Sequence, residues 1–142
     1  MSTLLDTNVL SELLRVRPAD SVLAWFAQQP ANSLFVSAVT QAEMLLGAQL
    51  LPAGKRRVQL ERALEAMFSK DFGERVLPFD AAAAAAYAKV VVTRRGVGRP
   101  ISQFDAQIAA IALSHRASLA TRNVADFEGC GLTLSNPWSA AQ

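Results

Sequence analysis

Residues 4–10 have the sequence Leu-Leu-Asp-Thr-Asn-Val-Leu, and this stretch organises the rest of the chain. A carboxylate directly after a short apolar run, followed by helix-forming residues, predicts a strand that ends at an acid and turns into a helix. In open parallel α/β sheets ligands bind at the carboxyl ends of the strands, so Asp6 is placed where chemistry is expected. The alternative is that Asp6 only caps the helix, since Asp is a favourable N-cap residue.

The composition is that of one globular domain. The chain has 142 residues, 51% of them apolar, which is enough for one sizeable core. The net charge of +2 is too small to indicate nucleic-acid binding by itself. A single cysteine, Cys130, excludes an internal disulfide, and without a secretion signal we expect a cytoplasmic protein. The longest apolar run, residues 81–87, is too short to span a bilayer, so no membrane is expected.

Predicted strands and helices alternate along the chain, which implies a parallel sheet. Helical periodicity predicts that the core-facing side of the second helix consists of Val22, Leu23 and Phe26, with Asp20 as the N-cap. Trp25 is assigned to the core rather than to a partner surface. Gly96 is expected to adopt the left-handed conformation that ends a helix. Strands are expected near residues 4–6, 34–36, 76–79, 118–121 and 132–134, and helices near 8–15, 20–29, 39–50, 55–68, 81–95 and 102–116.

Two further acids occur where predicted helices begin. Glu43 lies in the early turns of the helix over 39–50, on a side that the apolar residues do not use. Asp105 follows Ser102 by three residues, which matches a capping box with Asp in place of Glu. A structural cap is therefore the alternative to a functional role for Asp105.

Four segments in this order resemble the PIN-domain family, most closely its VapC-type ribonuclease toxins of toxin–antitoxin pairs, including the FitB-like branch. They are residues 4–10, Ser-Ala-Val-Thr-Gln-Ala-Glu at 37–43, Asp-Ala-Gln-Ile-Ala-Ala at 105–110, and Thr-Arg-Asn-Val-Ala-Asp-Phe at 121–127. The resemblance covers nearly the whole chain, and the four motifs together are specific although each is weak. It implies one PIN-like domain over 1–142, an α/β fold with a central parallel sheet of four to five strands flanked by α-helices.

The resemblance also implies a metal-dependent endoribonuclease that uses Mg²⁺ or Mn²⁺. Asp6, Glu43 and Asp105 fall on the family's first three acidic positions, as catalytic residues and metal ligands, and Thr7 and Asn8 fall on companion polar positions. The fourth position is open. Many members have an acid where this chain has Asn123, whereas others have it at the position of Asp126. We therefore include Asp126 as a catalytic residue, with Thr121 and Asn123 as supporting residues. Three arginines, Arg94, Arg95 and Arg99, form a basic patch and are candidate RNA contacts.

The partners implied by the resemblance are an RNA substrate, a cognate antitoxin whose tail covers the acidic groove, and a second copy of the chain. A larger toxin–antitoxin assembly on operator DNA is a further expectation. We expect the helices around Trp25, Met44 and Leu60 to contribute to the antitoxin groove, because apolar helices rich in Leu and Ala can supply such surfaces.

The chemistry of the residues points the same way. Mg²⁺ prefers oxygen ligands, and a metal-activated water needs neither a catalytic histidine nor a covalent nucleophile. The only histidine, His115, lies late in an apolar helix, where a surface or capping role is expected. Two alternatives remain: a haloacid-dehalogenase-like phosphatase, which would need a second acid where this chain has Asn8, and a catalytically inactive PIN-like binding module.

Overall fold

A five-stranded parallel sheet forms the centre of the computed structural model, which describes residues 1–139. The strands lie in the order β3-β2-β1-β4-β5, and each neighbouring pair is parallel. The predicted α/β fold with a parallel sheet of four to five strands is confirmed. The strands are β1 (Thr3–Leu5), β2 (Leu34–Ser37), β3 (Val76–Leu77), β4 (Ser118–Ala120) and β5 (Leu134–Ser135).

Helices cover both faces of this sheet. They are α1 (Thr7–Leu13), α2 (Asp20–Ala27), α3 (Ala38–Gln49), α4 (Lys55–Ala66), α5 (Ala81–Gly96), α6 (Gln103–Ser114) and α7 (Val124–Phe127). Short 3-10 turns occur at Ala31–Ser33 and Gly73–Arg75, and a π-helical turn at Met67–Phe72 follows α4. Within residues 1–139 none of the helices has the length and apolar character needed to cross a membrane.

The order of the strands reverses at β1, which lies in the middle of the sheet. The chain first adds β2 and β3 on one side of β1 and then adds β4 and β5 on the other. Leu5 of β1 pairs with Ala120 of β4, and the backbone N–H of Asp6 donates to the carbonyl of Ala120 at 2.9 Å. Such a reversal opens a crevice at the carboxyl ends of the two strands, and here Asp6 and Thr121 lie at that crevice.

Successive residues of β1 belong to opposite faces of the sheet, as the two-residue period of a strand requires. Leu4 belongs to the core that contains Ile108, Ile111 and Phe127 from α6 and α7. Leu5 belongs to the second core, whose other members come mainly from α1 to α4 and the turn behind α4. Both leucines are fully buried. The first motif therefore joins the two halves of the core.

Three local predictions are wrong. Helix α2 begins after Ala19 with no side-chain cap, so Asp20 does not cap it. Leu23 is 44% exposed, because Val22 and Trp25 take the buried positions, and this confirms the core assignment of Trp25. Gly96 is the last residue of α5, and the left-handed conformation falls on Gly98 with a φ of 71°.

Some predicted bounds also shift. The helix expected over 55–68 ends at Ala66, since the chain then widens into the π-helical turn. Strand β3 stops at Leu77, before Pro78, which has no N–H for a ladder. The last strand lies at Leu134–Ser135 rather than over 132–134.

The burial of Leu119 predicts a large effect on stability. Leu119 of β4 is 0% exposed, and its replacement by Ala should lower the free energy of unfolding by about 2–5 kcal/mol through lost burial and a residual cavity. Leu50→Ala, at a position that is 75% exposed, is the matched control and should change it by less than about 0.5 kcal/mol. Urea titration of both variants measures the difference, and equal effects would contradict the assigned core.

Candidate active site

Asp6 is the N-cap residue of α1 and is only 5% exposed. Its Oδ1 accepts a hydrogen bond from the backbone N–H of Thr7 at 2.8 Å. Its Oδ2 accepts from the hydroxyl of Thr121 at 2.8 Å and from the side-chain amide of Asn8 at 3.3 Å. The two interpretations of Asp6 are therefore compatible, since one oxygen caps the helix while the carboxylate lies in the crevice.

A chain of hydroxyl groups fixes Glu43. The hydroxyl of Ser37 donates to Thr40 Oγ1 at 3.2 Å, and the hydroxyl of Thr7 donates to Glu43 Oε1 at 2.8 Å. Thr40 and Thr7 lie 2.9 Å apart through their Oγ1 atoms. Because each hydroxyl carries one hydrogen, Thr40 must donate to Thr7. All these hydrogen bonds point along one direction and end on the carboxylate of Glu43.

Asp105 lies in the first turn of α6. The Oγ of the N-cap residue Ser102 accepts from the backbone N–H of Asp105 at 3.2 Å, so Ser102 is the cap. The side chain of Asp105 lines the same open cleft, of about 480 Å³, as Asp6 and Glu43. The other lining residues are Thr7, Asn8, Ser11, Glu12, Arg15, Arg122, Asn123 and Trp138.

The acids of the cleft act on one another. Burial raises the pKa of Asp6, and the charges of Asp105 and Glu43 raise it further, against the hydrogen bonds from Thr121 and Thr7. Burial also raises the pKa of Asp105, with added repulsion from Asp126 and Glu43. Mutual repulsion among carboxylates in one partly buried cleft is relieved by a cation. The arrangement is therefore suited to binding a positively charged group.

The two candidates for the fourth acidic position lie at different places. Asn123 lines the cleft, and its backbone N–H donates to Thr121 Oγ1 at 3.0 Å, so Thr121 connects Asn123 to Asp6. Asp126 is exposed on α7, yet it is close enough to raise the pKa of Asp105. Asn123 thus belongs to the wall of the cleft, and Asp126 contributes negative charge on the side of Asp105.

The basic patch is not one surface. Arg94 is only 4% exposed and donates from Nε to the carbonyl of Arg99 at 2.7 Å and from Nη1 to the carbonyl of Asp126 at 2.6 Å. A buried guanidinium cannot contact RNA, so Arg94 is corrected to a residue that joins α5 to α7. Arg95 and Arg99 are exposed, and Arg99 forms an ion pair with Glu128 at 3.3 Å.

Sequence reasoning missed several residues of the cleft. Glu12 is 6% exposed, and its Oε2 accepts from the backbone N–H of Ala19 at 2.8 Å, which ties α1 to the start of α2. Thr40 positions Thr7, and Arg122 and Trp138 contribute to the wall. The signal available for Arg122 was its place directly after a strand that ends beside β1, whereas Trp138 carried no such signal.

Comparison with known proteins identifies the family. A model described as the PIN domain matches residues 3–128. The chain belongs to the PIN-domain family. It is 42% identical over 137 residues to the VapC ribonuclease Y4jK of Sinorhizobium fredii, covering 96% of this chain and 98% of the relative. It is 39% identical to the toxin FitB of Neisseria gonorrhoeae, covering 95% and 97%. A solved structure of FitAB bound to an IR36 DNA fragment superposes with a TM-score of 0.92 at 38% identity, covering 99% and 98%.

The resemblance to the VapC and FitB branch is therefore confirmed. All four acidic and polar motifs lie within residues 3–128, the part of the chain that the PIN-domain model matches.

The raised pKa of Asp105 predicts that Asp105→Asn stabilises the PIN domain at neutral pH. The pKa of Asp105 is higher in the folded state than in the unfolded state, so between these two values the folded state binds more protons. The free energy of unfolding therefore decreases as the pH rises through that interval, and the charged carboxylate is destabilising above it. With EDTA present, the variant should therefore have a higher Tm at pH 7, and the difference should shrink as the pH falls toward 4.

The control is Asp71→Asn, which removes the same charge from an exposed position. Thermal unfolding of both variants between pH 4 and 7 measures the effect. A higher Tm in both variants, or a stabilisation by Asp105→Asn that grows toward acid pH, would contradict the assigned repulsion.

Proposed function

We propose that this protein is a divalent-metal-dependent endoribonuclease that acts as the toxin of a toxin–antitoxin pair. The observation that carries the proposal is the convergence of Asp6, Glu43 and Asp105 on one cleft at the carboxyl ends of the parallel strands. Relatives that match over almost the whole chain are named a VapC ribonuclease and the toxin FitB, which supports both the reaction and the role.

The donor set fits Mg²⁺ or Mn²⁺. The cleft offers carboxylate, hydroxyl and amide oxygens and contains neither histidine nor cysteine among its lining residues. Oδ1 of Asp6 keeps acceptor capacity beyond its hydrogen bond from Thr7, whereas Oδ2 accepts from both Thr121 and Asn8. Within 1–139 no three Asp, Glu, His or Cys side chains are arranged to hold an ion by themselves. An ion would therefore bind one or two of the three predicted ligands Asp6, Glu43 and Asp105, with water completing the shell.

When bound, such an ion lowers the pKa of a coordinated water and neutralises charge on a phosphate. The chain itself keeps the acids in place. Thr121 and Asn8 hold the carboxylate of Asp6, and Thr7 holds Glu43 on the adjacent wall. Among residues 1–139, the hydrogen bond that orients Glu43 is to Oε1. The other oxygen of Glu43 is therefore available to orient an attacking water or to accept a proton from it.

A phosphatase of the haloacid-dehalogenase type is disfavoured by the geometry of Asn8. The second acid of that mechanism would have to occupy this position, and here the amide of Asn8 donates to Asp6 Oδ2 instead. An inactive binding module remains the other alternative, and the variants described next distinguish it from an enzyme.

Asp6→Asn and Asp105→Asn should each lower RNA cleavage by at least about 100-fold, because both remove a carboxylate from the proposed metal site. Fold should be kept in both variants, since Asn can replace Asp6 as the N-cap of α1 and Asp105 is not the cap of α6. Isothermal titration with Mn²⁺ should show binding to the parent and loss of binding in both variants. Asp71→Asn is the control and should cleave RNA and bind Mn²⁺ as the parent does. Unchanged cleavage in Asp6→Asn would contradict the assignment, and hydrolysis of a small phosphate ester in preference to RNA would favour the phosphatase.

The ends of the RNA products report the nucleophile. His115 caps the C-terminus of α6 on the surface and does not line the cleft, so the cleft has no histidine to activate a ribose 2′-hydroxyl. Attack by water should leave a 5′-phosphate and a 3′-hydroxyl. Mass spectrometry of the fragments tests this, and His115→Ala should retain nearly full activity. Fragments with 2′,3′-cyclic phosphates would contradict a water nucleophile.

The proposed partner is an antitoxin whose tail lies in an apolar groove beside the cleft. Met44, Ala48, Leu60 and Leu64 line a groove between α1, α3 and α4 that shares Thr7, Ser11 and Glu43 with the acidic cleft. Trp25 is buried in the core and does not line this groove. The solved FitAB complex with a DNA fragment supports a toxin–antitoxin assembly on operator DNA, and a second copy of the chain is proposed as part of it.

Hydrogen exchange tests this groove. Adding the cognate antitoxin should slow exchange in α3 and α4 around Met44 and Leu60, because a bound tail would exclude water from these helices. The segment around Lys89 of α5, which lies outside the groove, serves as the internal control. Protection that omits α3 and α4 would contradict the proposed location.

A further inference from the structure

The charges that line the cleft are unbalanced. Four acids, Asp6, Glu12, Glu43 and Asp105, face two arginines, Arg15 and Arg122. Arg15 already forms an ion pair with Glu12, at 3.4 Å between Nη1 and Oε1. Arg122 has no acidic partner within ion-pair distance among residues 1–139. It is therefore the lining cation whose charge is left for a ligand.

Arg122 is held in position on an aromatic ring. Its guanidinium carbon lies 5.0 Å from the centroid of the Trp138 ring, within the range of a cation–π contact. The backbone on both sides is fixed as well. The N–H of Arg122 donates to Asn8 Oδ1 at 3.3 Å, and the N–H of Trp138 donates to Asn136 Oδ1 at 3.0 Å. The amide of Asn136 in turn donates to the carbonyl of Arg122 at 3.5 Å.

Stacking leaves the hydrogen-bonding edge of Arg122 free. A guanidinium has five N–H donors in its plane, and contact with a ring uses its face rather than this edge. In the described part of the chain none of these donors is bonded to a protein acceptor, whereas Arg94 and Arg99 both use theirs on carbonyl or carboxylate oxygens. A planar fork of this kind matches two oxygens of one phosphate.

We infer that Arg122, supported by Trp138, binds a phosphate of the RNA strand next to the one that is cleaved. This inference rests on the proposed ribonuclease function. An RNA strand that enters the cleft meets a surplus of carboxylates, so its approach requires fixed positive charge as well as a metal ion. Arg122 supplies that charge within the lining of the cleft, and it was not among the arginines that the sequence suggested for RNA.

Steady-state kinetics on a single-stranded RNA test the role. Arg122→Ala should raise KM about tenfold and leave kcat within about twofold, because a contact to a non-reacting phosphate is made equally in the ground and transition states. Arg122→Lys should recover part of the loss. Trp138→Phe keeps a ring for the cation and should raise KM less than Trp138→Leu does, whereas Trp138→Leu should resemble Arg122→Ala. Arg62→Ala removes an exposed arginine of α4 and is the charge-matched control.

Binding gives a second readout that does not require turnover. Trp25→Phe leaves Trp138 as the only tryptophan, so its emission reports the pair directly. With Ca²⁺ in place of Mg²⁺, titration with an RNA oligonucleotide should change this emission. The association constant for RNA decreases with salt concentration, and the magnitude of the slope of its logarithm against log salt should be about 0.7 smaller in Arg122→Ala. This is the change expected for one lost phosphate contact on a single strand.

The outcomes separate this inference from the proposed function. Cleavage by the parent with unchanged KM and salt slope in Arg122→Ala would overturn the inference and leave the ribonuclease proposal intact. An Arg122-dependent RNA affinity without any cleavage would support the contact and overturn the ribonuclease proposal. If KM and the salt slope are unchanged in Arg122→Ala but the antitoxin binds more weakly, Arg122 and Trp138 contact the antitoxin rather than RNA, and the inference is overturned. An equal effect of Arg62→Ala on KM would also overturn it.

Discussion

The hydrogen bond from the Thr121 hydroxyl to Asp6 Oδ2 is the contact on which the site depends. It joins residues 115 positions apart in the sequence, at 2.8 Å, and it exists only because β1 and β4 are neighbours in the parallel sheet. The same carboxylate caps α1 through its other oxygen. The sheet topology, the start of α1 and the orientation of Asp6 therefore depend on one another. A shift of β4 by one residue would move the Thr121 hydroxyl away from Asp6 and turn the side chains of β4 to the opposite face of the sheet.

The parts of this arrangement that were predictable from sequence are those set by local pattern. An acid directly after an apolar run predicts a helix start at the end of a strand, and alternating strands and helices predict a parallel sheet, whose carboxyl ends collect such acids. Asp6 is predicted in this way, whereas the functional roles of Glu43 and Asp105 are predicted only by the resemblance to the PIN-domain family. Ser102 was found as a cap because capping depends on residues only three apart.

The parts that were not predictable depend on contacts between distant segments. Arginines clustered at the end of a helix suggest a basic surface, but the burial of Arg94 depends on the path of the chain through α7, which supplies the carbonyl of Asp126. Leu23 and Trp25 differ by only two positions, and which of them is buried depends on how α2 lies against its neighbours. The meeting of Arg122 with Trp138 requires β4 and β5 to be paired, and the hydroxyl chain to Glu43 requires α1 and α3 to be adjacent.

The carboxylates of the cleft repel one another, and this repulsion couples the stability of the fold to ligand binding. Backbone and hydroxyl donors favour the charged form of Asp6, while its burial and the two neighbouring acids disfavour it. A fully apolar or neutral set of side chains would avoid this conflict and stabilise the domain, so the acids are explained by what they bind rather than by what they add to stability. A cation that binds only the folded cleft stabilises it by mass action and removes the repulsion at the same time. Under the proposed function, the acids would favour the fold only with such a cation bound. The orientation of Glu43 comes from the hydroxyl chain through Thr7, which consists of hydrogen bonds within the protein, so the protein itself supplies this part of the geometry.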